Sequence, residues 1–318
     1  MRQYVIRRAL LIVPTILGVT LLVSLLLELL QGDIADLIFA ESATYNQELT
    51  KEKIEEDLGT NEFFVVQWAQ WMGNVAQGDF GTYFRSNRSV GTELEHRVPV
   101  TLQLSGMALV VSLLVALPIG VLSAVRQDTI ADYVARSFSI FMLALPSFWL
   151  GIMFFVFVGR WADWLLPPAI YKDPWEDLGS NLKHTWVPAL ILGFALAGSV
   201  MRLTRAQMLE VLRQDYVRTA WSKGLRERTV ITRHAIKNAF IPVLSLIGVQ
   251  ITILVSGSVV LENIFSIPGL GQMLIEGLFQ REYVAVQGVL LVVAMLIVVT
   301  NFLVDMTYSA LDPRIRYT

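Results

Sequence analysis

Three observations predict that this chain is an all-α protein embedded in a lipid bilayer. Hydrophobic residues make up 54% of it and charged residues only 16%, it holds six apolar runs each about long enough to cross a membrane, and its basic residues cluster on one set of alternating sides. Soluble domains carry about 25% charged residues, so the deficit makes lipid the main solvent of the chain. The net charge of -2 offers no basic surface for nucleic acid.

The apolar runs fall near 9–31, 100–125, 137–160, 186–203, 240–262 and 285–309. The first follows MRQYVIRR and reaches Leu30. A cleavable signal has an apolar core of about 7–15 residues and a small-residue cut site, so this run is expected to stay as the first helix. The fourth is short and glycine-rich. Pro14, Pro118, Pro146, Pro188 and Pro242 lie inside the runs, which a helical bundle accommodates because neighbouring groups satisfy the freed carbonyls. Ala189, Gly193 and Ala197 recur every four residues and form a stripe for close helix packing.

Lysine and arginine concentrate in cytoplasmic loops. Arg2, Arg7 and Arg8, Arg126 and Arg136, nine basic residues in 202–239, and Arg314 and Arg316 put sixteen of the 25 on one side. Both termini are therefore expected in the cytoplasm. Three regions follow: 1–31, the N-terminal arm and first span; 32–98, an extracytoplasmic insertion; and 99–318, a core of five spans with a cytoplasmic loop at 204–239. Within the insertion, QELTKEKIEEDLG reads as an exposed helix ending at Gly59. Phe64, Trp68, Trp71 or Met72, and Val75 share a face of the next helix, which suits either the membrane surface or packing on the spans.

Catalytic and metal-binding residues are not expected. The chain has no cysteine, and His96, His184 and His234 are scattered without ligand spacing. An intramembrane hydrolase needs a nucleophile and a base facing each other in the bilayer, and each histidine falls near or outside a membrane boundary. No GxxxxGK[ST] loop is present, so nucleotide must be bound elsewhere. Glu28, Glu262 and Asp305 fall near span ends, where they reach water or cap backbone groups; the scarcity of midplane charge argues against a proton relay. Gln250, Thr252, Ser256 and Ser258 in the fifth run either line a solute path or bond between helices.

The long basic loop, AQMLEVLRQDYVRTAWSKGLRERTVITRHAIKNAF at 206–240, is the main candidate for function. Met208, Leu212, Tyr216 and Thr219 or Ala220 form a stripe at helical spacing, so its first half reads as one amphipathic helix. Gly224 is placed to end that helix, since glycine takes a left-handed conformation without steric cost. A second helix then starts near Glu227. Such a hairpin either lies on anionic headgroups or docks on a partner.

Arg218, Thr219 and Ala220, followed by Gly224, resemble the coupling motif of ABC importer permeases, a Glu-Ala-Ala triplet with glycine four residues on. DYVRTAWSKGL is similar to its variant in the dipeptide and oligopeptide branch. IRRALLIVPTILGVTLLVSLLLELL, GDFGTYFRSNRSV with RVPVTLQLS, LPSFWLG, HTWVPALILG, LENIFSIPGLG and VDMTYSALDPRIR resemble other segments of that branch, in order. At 31–36 the chain reads QGDIAD where the branch often has a PGDP-like stretch.

The resemblance implies the MetI-like type I ABC importer fold, with six transmembrane helices and an extracytoplasmic insertion after the first, in the bacterial cytoplasmic membrane. It assigns coupling to an ATPase to Leu212, Asp215, Tyr216, Arg218, Thr219, Ala220, Lys223, Gly224 and Leu225. It implies no cofactor on this chain, ATP and Mg being held by partner subunits. The implied partners are a second homologous permease, one or two ABC ATPases and an extracytoplasmic solute-binding protein. The implied function is to form half of a path for di- or oligopeptides or a related small solute. A secondary transporter working without an ATPase is the alternative, and it leaves the loop pattern unexplained.

Overall fold

The computed structural model describes residues 2–30 and 63–311. The helix expected to end at Gly59, the QGDIAD stretch and the basic tail lie outside the described residues. Among the described residues ten helices of eight residues or more follow in order: α1 (Arg2–Leu30), α2 (Phe64–Val75), α3 (Val90–Val125), α4 (Ile130–Ala144), α5 (Ser147–Trp161), α6 (Leu178–Leu212), α7 (Asp215–Ser222), α8 (Ile236–Ile264), α9 (Leu270–Gln280) and α10 (Tyr283–Leu311). A helical turn at Glu227–Thr229 and a π-helical turn at Val230–Ala235 lead into α8. The only β feature among the described residues is an isolated bridge between Thr82 and Ser89.

Among the described residues five helices are long and apolar enough to cross a membrane, and a sixth crossing exists if α4 and α5 count as one. That pair corrects the expected straight span at 137–160. The axes of α4 and α5 bend by 91°, and Pro146 stands before α5 instead of inside a helix. Proline forces the residue ahead of it out of the helical region, and Leu145 is extended accordingly, at φ -92° and ψ 121°. Pro118, Pro188 and Pro242 do remain within α3, α6 and α8.

The chain forms two compact units. One comprises Met1–Arg8, Arg97–Gln272 and Leu296–Thr318. Its centre is α6, which runs for 35 residues although its apolar core is short. Of its most apolar stretch, 67% is buried, against 11% for α1. The small-residue stripe explains this. A side chain at Gly193 would meet Val111 Cβ and the Ala108 carbonyl of α3 at 2.7 Å, and one at Gly198 would meet the Ser139 carbonyl of α4 at 2.9 Å. The stripe is thus consumed inside the chain, where close approach gains dispersion contact that larger residues would forbid.

The other unit comprises Ala9–His96 and Met273–Met295. Glu282, just ahead of α10, is buried and accepts the Phe84 and Arg85 amides at 2.7 and 2.9 Å. It thereby fixes the turn closed by the Thr82–Ser89 bridge. Trp68 of α2 donates its indole N–H to Thr20 Oγ1 of α1 at 3.1 Å. No residue of α2 is buried, and Phe63, Val65 and Val66 beside and along it are exposed.

Candidate coupling site

The basic loop folds as two helices where periodicity predicts one. α6 ends at Leu212, Arg213 and Gln214 turn, and α7 restarts at Asp215. The break resets the helical phase, so the stripe extrapolated from Met208 and Leu212 to Tyr216 and Ala220 does not form one outward face. Ala220 is buried, as is Val217. Both pack with Met208 and Val211 of α6, Ala124 of α3, Val230 and Ala235 of the π-helical turn, and Ala239 of α8. Burying a valine side chain fully is worth about 1.5–3 kcal/mol, enough to seat so short a helix, which would not persist alone in water.

The outward face of α7 is therefore polar. Asp215, Arg218, Thr219 and Ser222 are exposed along it, with Trp221, Lys223, Gly224 and Leu225 exposed at its end. Arg218 reaches Asp215 at 3.4 Å across exposed side chains, a pair worth little. Tyr216 sits at the margin, its hydroxyl accepting the Asn238 amide at 2.8 Å. Leu212 is half-buried and packs on the inner cluster.

Gly224 does end α7. Its φ is +73°, its N–H donates to the Trp221 carbonyl at 2.9 Å, and the Leu225 N–H reaches the Ala220 carbonyl at 3.4 Å. These two bonds form a Schellman turn, which satisfies the last carbonyls of the helix and requires the left-handed conformation at its glycine.

Next to this seat lies an ion pair that sequence patterns do not reveal. Asp132, fully buried at the start of α4, receives Arg205 Nε at 2.8 Å and Arg205 Nη2 at 2.7 Å from α6. The Ser123 hydroxyl of α3 and the Asp128 amide complete its acceptor set. The partners stand 73 residues apart. Their only sequence signal is opposite charge in two loops assigned to the same side. The pair joins the ends of α3, α4 and α6 where α7 is seated.

An apolar cleft of about 440 Å³ opens beside the seat, lined by residues of α3, α6 and α8 including Pro118, Met208 and Phe240. Thr204 on its wall has a buried hydroxyl with no hydrogen-bond partner among the described residues.

The far end of α6 is held by neutral polar groups and one carboxylate. Asn181 receives Gln103 and donates to Tyr171 Oη and the Lys172 carbonyl. His184 Nε2 donates to the Phe265 carbonyl at 2.8 Å. Glu262, expected to reach water or to cap backbone, is fully buried and caps. It accepts Thr101 Oγ1 at 2.8 Å, Ser258 Oγ at 2.9 Å and the Gly271 amide at the start of α9 at 2.7 Å. Side chains of Glu28 and Asp305 lie outside the described residues.

The four polar residues of the fifth run divide. Gln250 is buried and donates to Ser199 of α6, and Ser258 is buried on Glu262. Thr252 is half-buried, at 3.4 Å from Asn301, and Ser256 is exposed with its hydroxyl on the Thr252 carbonyl. Of the four, only these last two reach the surface of the described residues. Among the described residues no cluster of histidine, aspartate or glutamate suits a metal ion.

The described helices thus form a bundle with a bent helix pair and a short helix seated across the ends of three long ones. A chain of the inward-facing MetNI methionine ABC transporter shares its fold, with a TM-score of 0.56 at 15% identity over 69% of this chain and 96% of that one. Residues 116–317 match the family described as binding-protein-dependent transport system inner membrane component, and the chain belongs to that family. It is 35% identical over 319 residues to the oligopeptide transport system permease protein AppB of Bacillus subtilis (strain 168), covering all of both chains. It is 34% identical over 341 residues to the dipeptide transport system permease protein DppB of Escherichia coli (strain K12), covering all of this chain and 99% of that one. The fold class, the ABC importer permease role and the membrane location expected from the sequence are those of this family.

Proposed function

We propose that this chain forms half of the translocation path of an ATP-driven importer of di- or oligopeptides or a related small solute, and that α7 is the surface on which an ATP-hydrolysing partner acts. The single observation that carries the coupling role is the seat of α7. Its inner face is packed on three long helices while its polar outer face, ended by a glycine turn, is exposed among the described residues. A push on that face is relayed through Val217 and Ala220 to α6 and α8. The Arg205–Asp132 pair carries it on to α4, and so to the bend at Pro146.

On this reading Asp215, Arg218, Thr219, Lys223, Gly224 and Leu225 face the ATPase, whereas Leu212 and Ala220 act from inside and Tyr216 orients the margin. The chain itself does no covalent chemistry and binds no cofactor; ATP and Mg belong to one or two partner ATPases. A second homologous permease completes the path, and Thr252 and Ser256 are its open polar residues on α8. An extracytoplasmic protein delivers solute from the side of the 32–98 insertion. Residues 202–239 and both termini lie in the cytoplasm, as the basic loops require. The named roles of the similar AppB and DppB chains support peptides as the solute class.

Cells that lack this chain but keep its partners should lose uptake of a labelled dipeptide or tetrapeptide and regain it when the chain is supplied. Uptake by the purified chain alone, driven by a gradient, would instead establish a secondary transporter. Orientation is read with single cysteines in this cysteine-free sequence: an impermeant reagent should label Asn46→Cys and not Arg228→Cys in intact cells.

A further inference from the structure

The connection between α5 and α6, at the end of α6 remote from α7, exposes an unusual set of side chains. Trp161, Trp164, Ile170 and Trp175 are 77%, 79%, 76% and 67% exposed, and Leu178 is exposed as well. This is a pinned segment. Tyr171 packs edge-on against His184, Asn181 donates to both Tyr171 Oη and the Lys172 carbonyl, and Asp177 caps α6 through the Ser180 amide at 3.0 Å. That amide holds the Asp177 carboxyl below the usual carboxylate range. A connection fixed on its inner side that turns three indoles outward would be costly in water.

We propose that residues 161–178 form an interfacial anchor that seats in the headgroup region of the bilayer and sets the depth of the bent α4–α5 pair. The occupant is argued from continuity. Trp149, Ile152, Val156 and Phe157 make an exposed apolar face along α5, opposite the face that packs Gly151 on Leu261 and places Phe154 and Phe155 on Phe265. An apolar outer face on a membrane helix is a lipid face, and Trp161 is the last residue of that helix. Tryptophan is favoured where an apolar ring meets hydrated headgroups. The Arg160 guanidinium lies 6.0 Å over the Trp161 ring, a cation–π contact that suits a ring at the headgroup boundary. Glu176 and Asp177 are exposed in the same connection and supply polar groups for water.

The test uses single nitroxide labels at Trp164→Cys and Trp175→Cys, with Gln127→Cys in the exposed turn after α3 as a water reference. The whole transporter is reconstituted in phosphatidylcholine and phosphatidylglycerol vesicles. Labels in a headgroup seat should collide with oxygen in preference to a water-soluble nickel chelate by roughly threefold more than the reference does. In the unlabelled chain, lipids brominated near the headgroup should quench tryptophan emission, and Trp164→Phe with Trp175→Phe should remove much of that quenching. Nickel contact equal to that of Gln127→Cys would overturn the proposal. So would shielding from both reagents in the whole transporter, with or without added solute-binding protein, because the surface would then be a protein interface.

Discussion

The two ends of α6 are held in different ways. At the α7 end the hold is an ion pair: buried Asp132 and partly exposed Arg205 tie α3, α4 and α6 together, and an apolar cluster seats α7 beside them. At the other end the pins are Asn181, His184 and the Thr101–Glu262 cap, and the apolar residues face outward. A buried ion pair is poor at raising stability but fixes one geometry, since each charge is tolerated only with its partner in place. On the proposed reading the α7 end moves as a unit and the far end holds a depth in the membrane.

This contrast can be broken most strongly at the pair. Arg205→Met leaves the buried Asp132 carboxylate without its cation, held only by Ser123 and the Asp128 amide, and unfolding in detergent should show a loss of about 3 kcal/mol. Asp132→Leu with Arg205→Met should recover most of that stability but not transport. Next is the far end. Glu262→Ala strips acceptors from Thr101, Ser258 and the Gly271 amide, and a loss of about 2–3 kcal/mol is expected in the same assay, with Glu262→Gln losing less. A smaller effect belongs to the α7 turn. Nothing lies within 4 Å of a side chain added at Gly224, so Gly224→Ala meets only the strain of its positive φ, about 1 kcal/mol.

Much of this architecture was legible in the sequence because membrane spans announce themselves by composition and length. The turn at Gly224 and the helix start at Glu227 were legible too, since both rest on local backbone chemistry. The phase of α7 was not. Nothing in Gln207–Tyr216 marks the break at Arg213 and Gln214 as proline or glycine would, so helical spacing carried across it misplaces Ala220. The bend at Pro146 was hidden for the converse reason: membrane helices keep some prolines, and Pro118, Pro188 and Pro242 look no different in sequence. The Asp132–Arg205 pair depends on tertiary contact between distant segments, which no local pattern encodes.

The smallest expected effect on stability lies on the outer face of α7, and it tests the central claim most directly. Thr219 and Ser222 are exposed and bond only to backbone carbonyls one turn earlier, at 2.9 and 3.1 Å. Thr219→Trp and Ser222→Trp should change stability by no more than about 0.5 kcal/mol. Membrane level, ATPase copurification and peptide uptake are to be measured in the same cells for each variant. The account predicts normal amounts of folded permease with copurification and uptake lost together. Normal uptake with a bulky side chain at both positions would contradict the assignment of α7 as the surface that receives the ATPase.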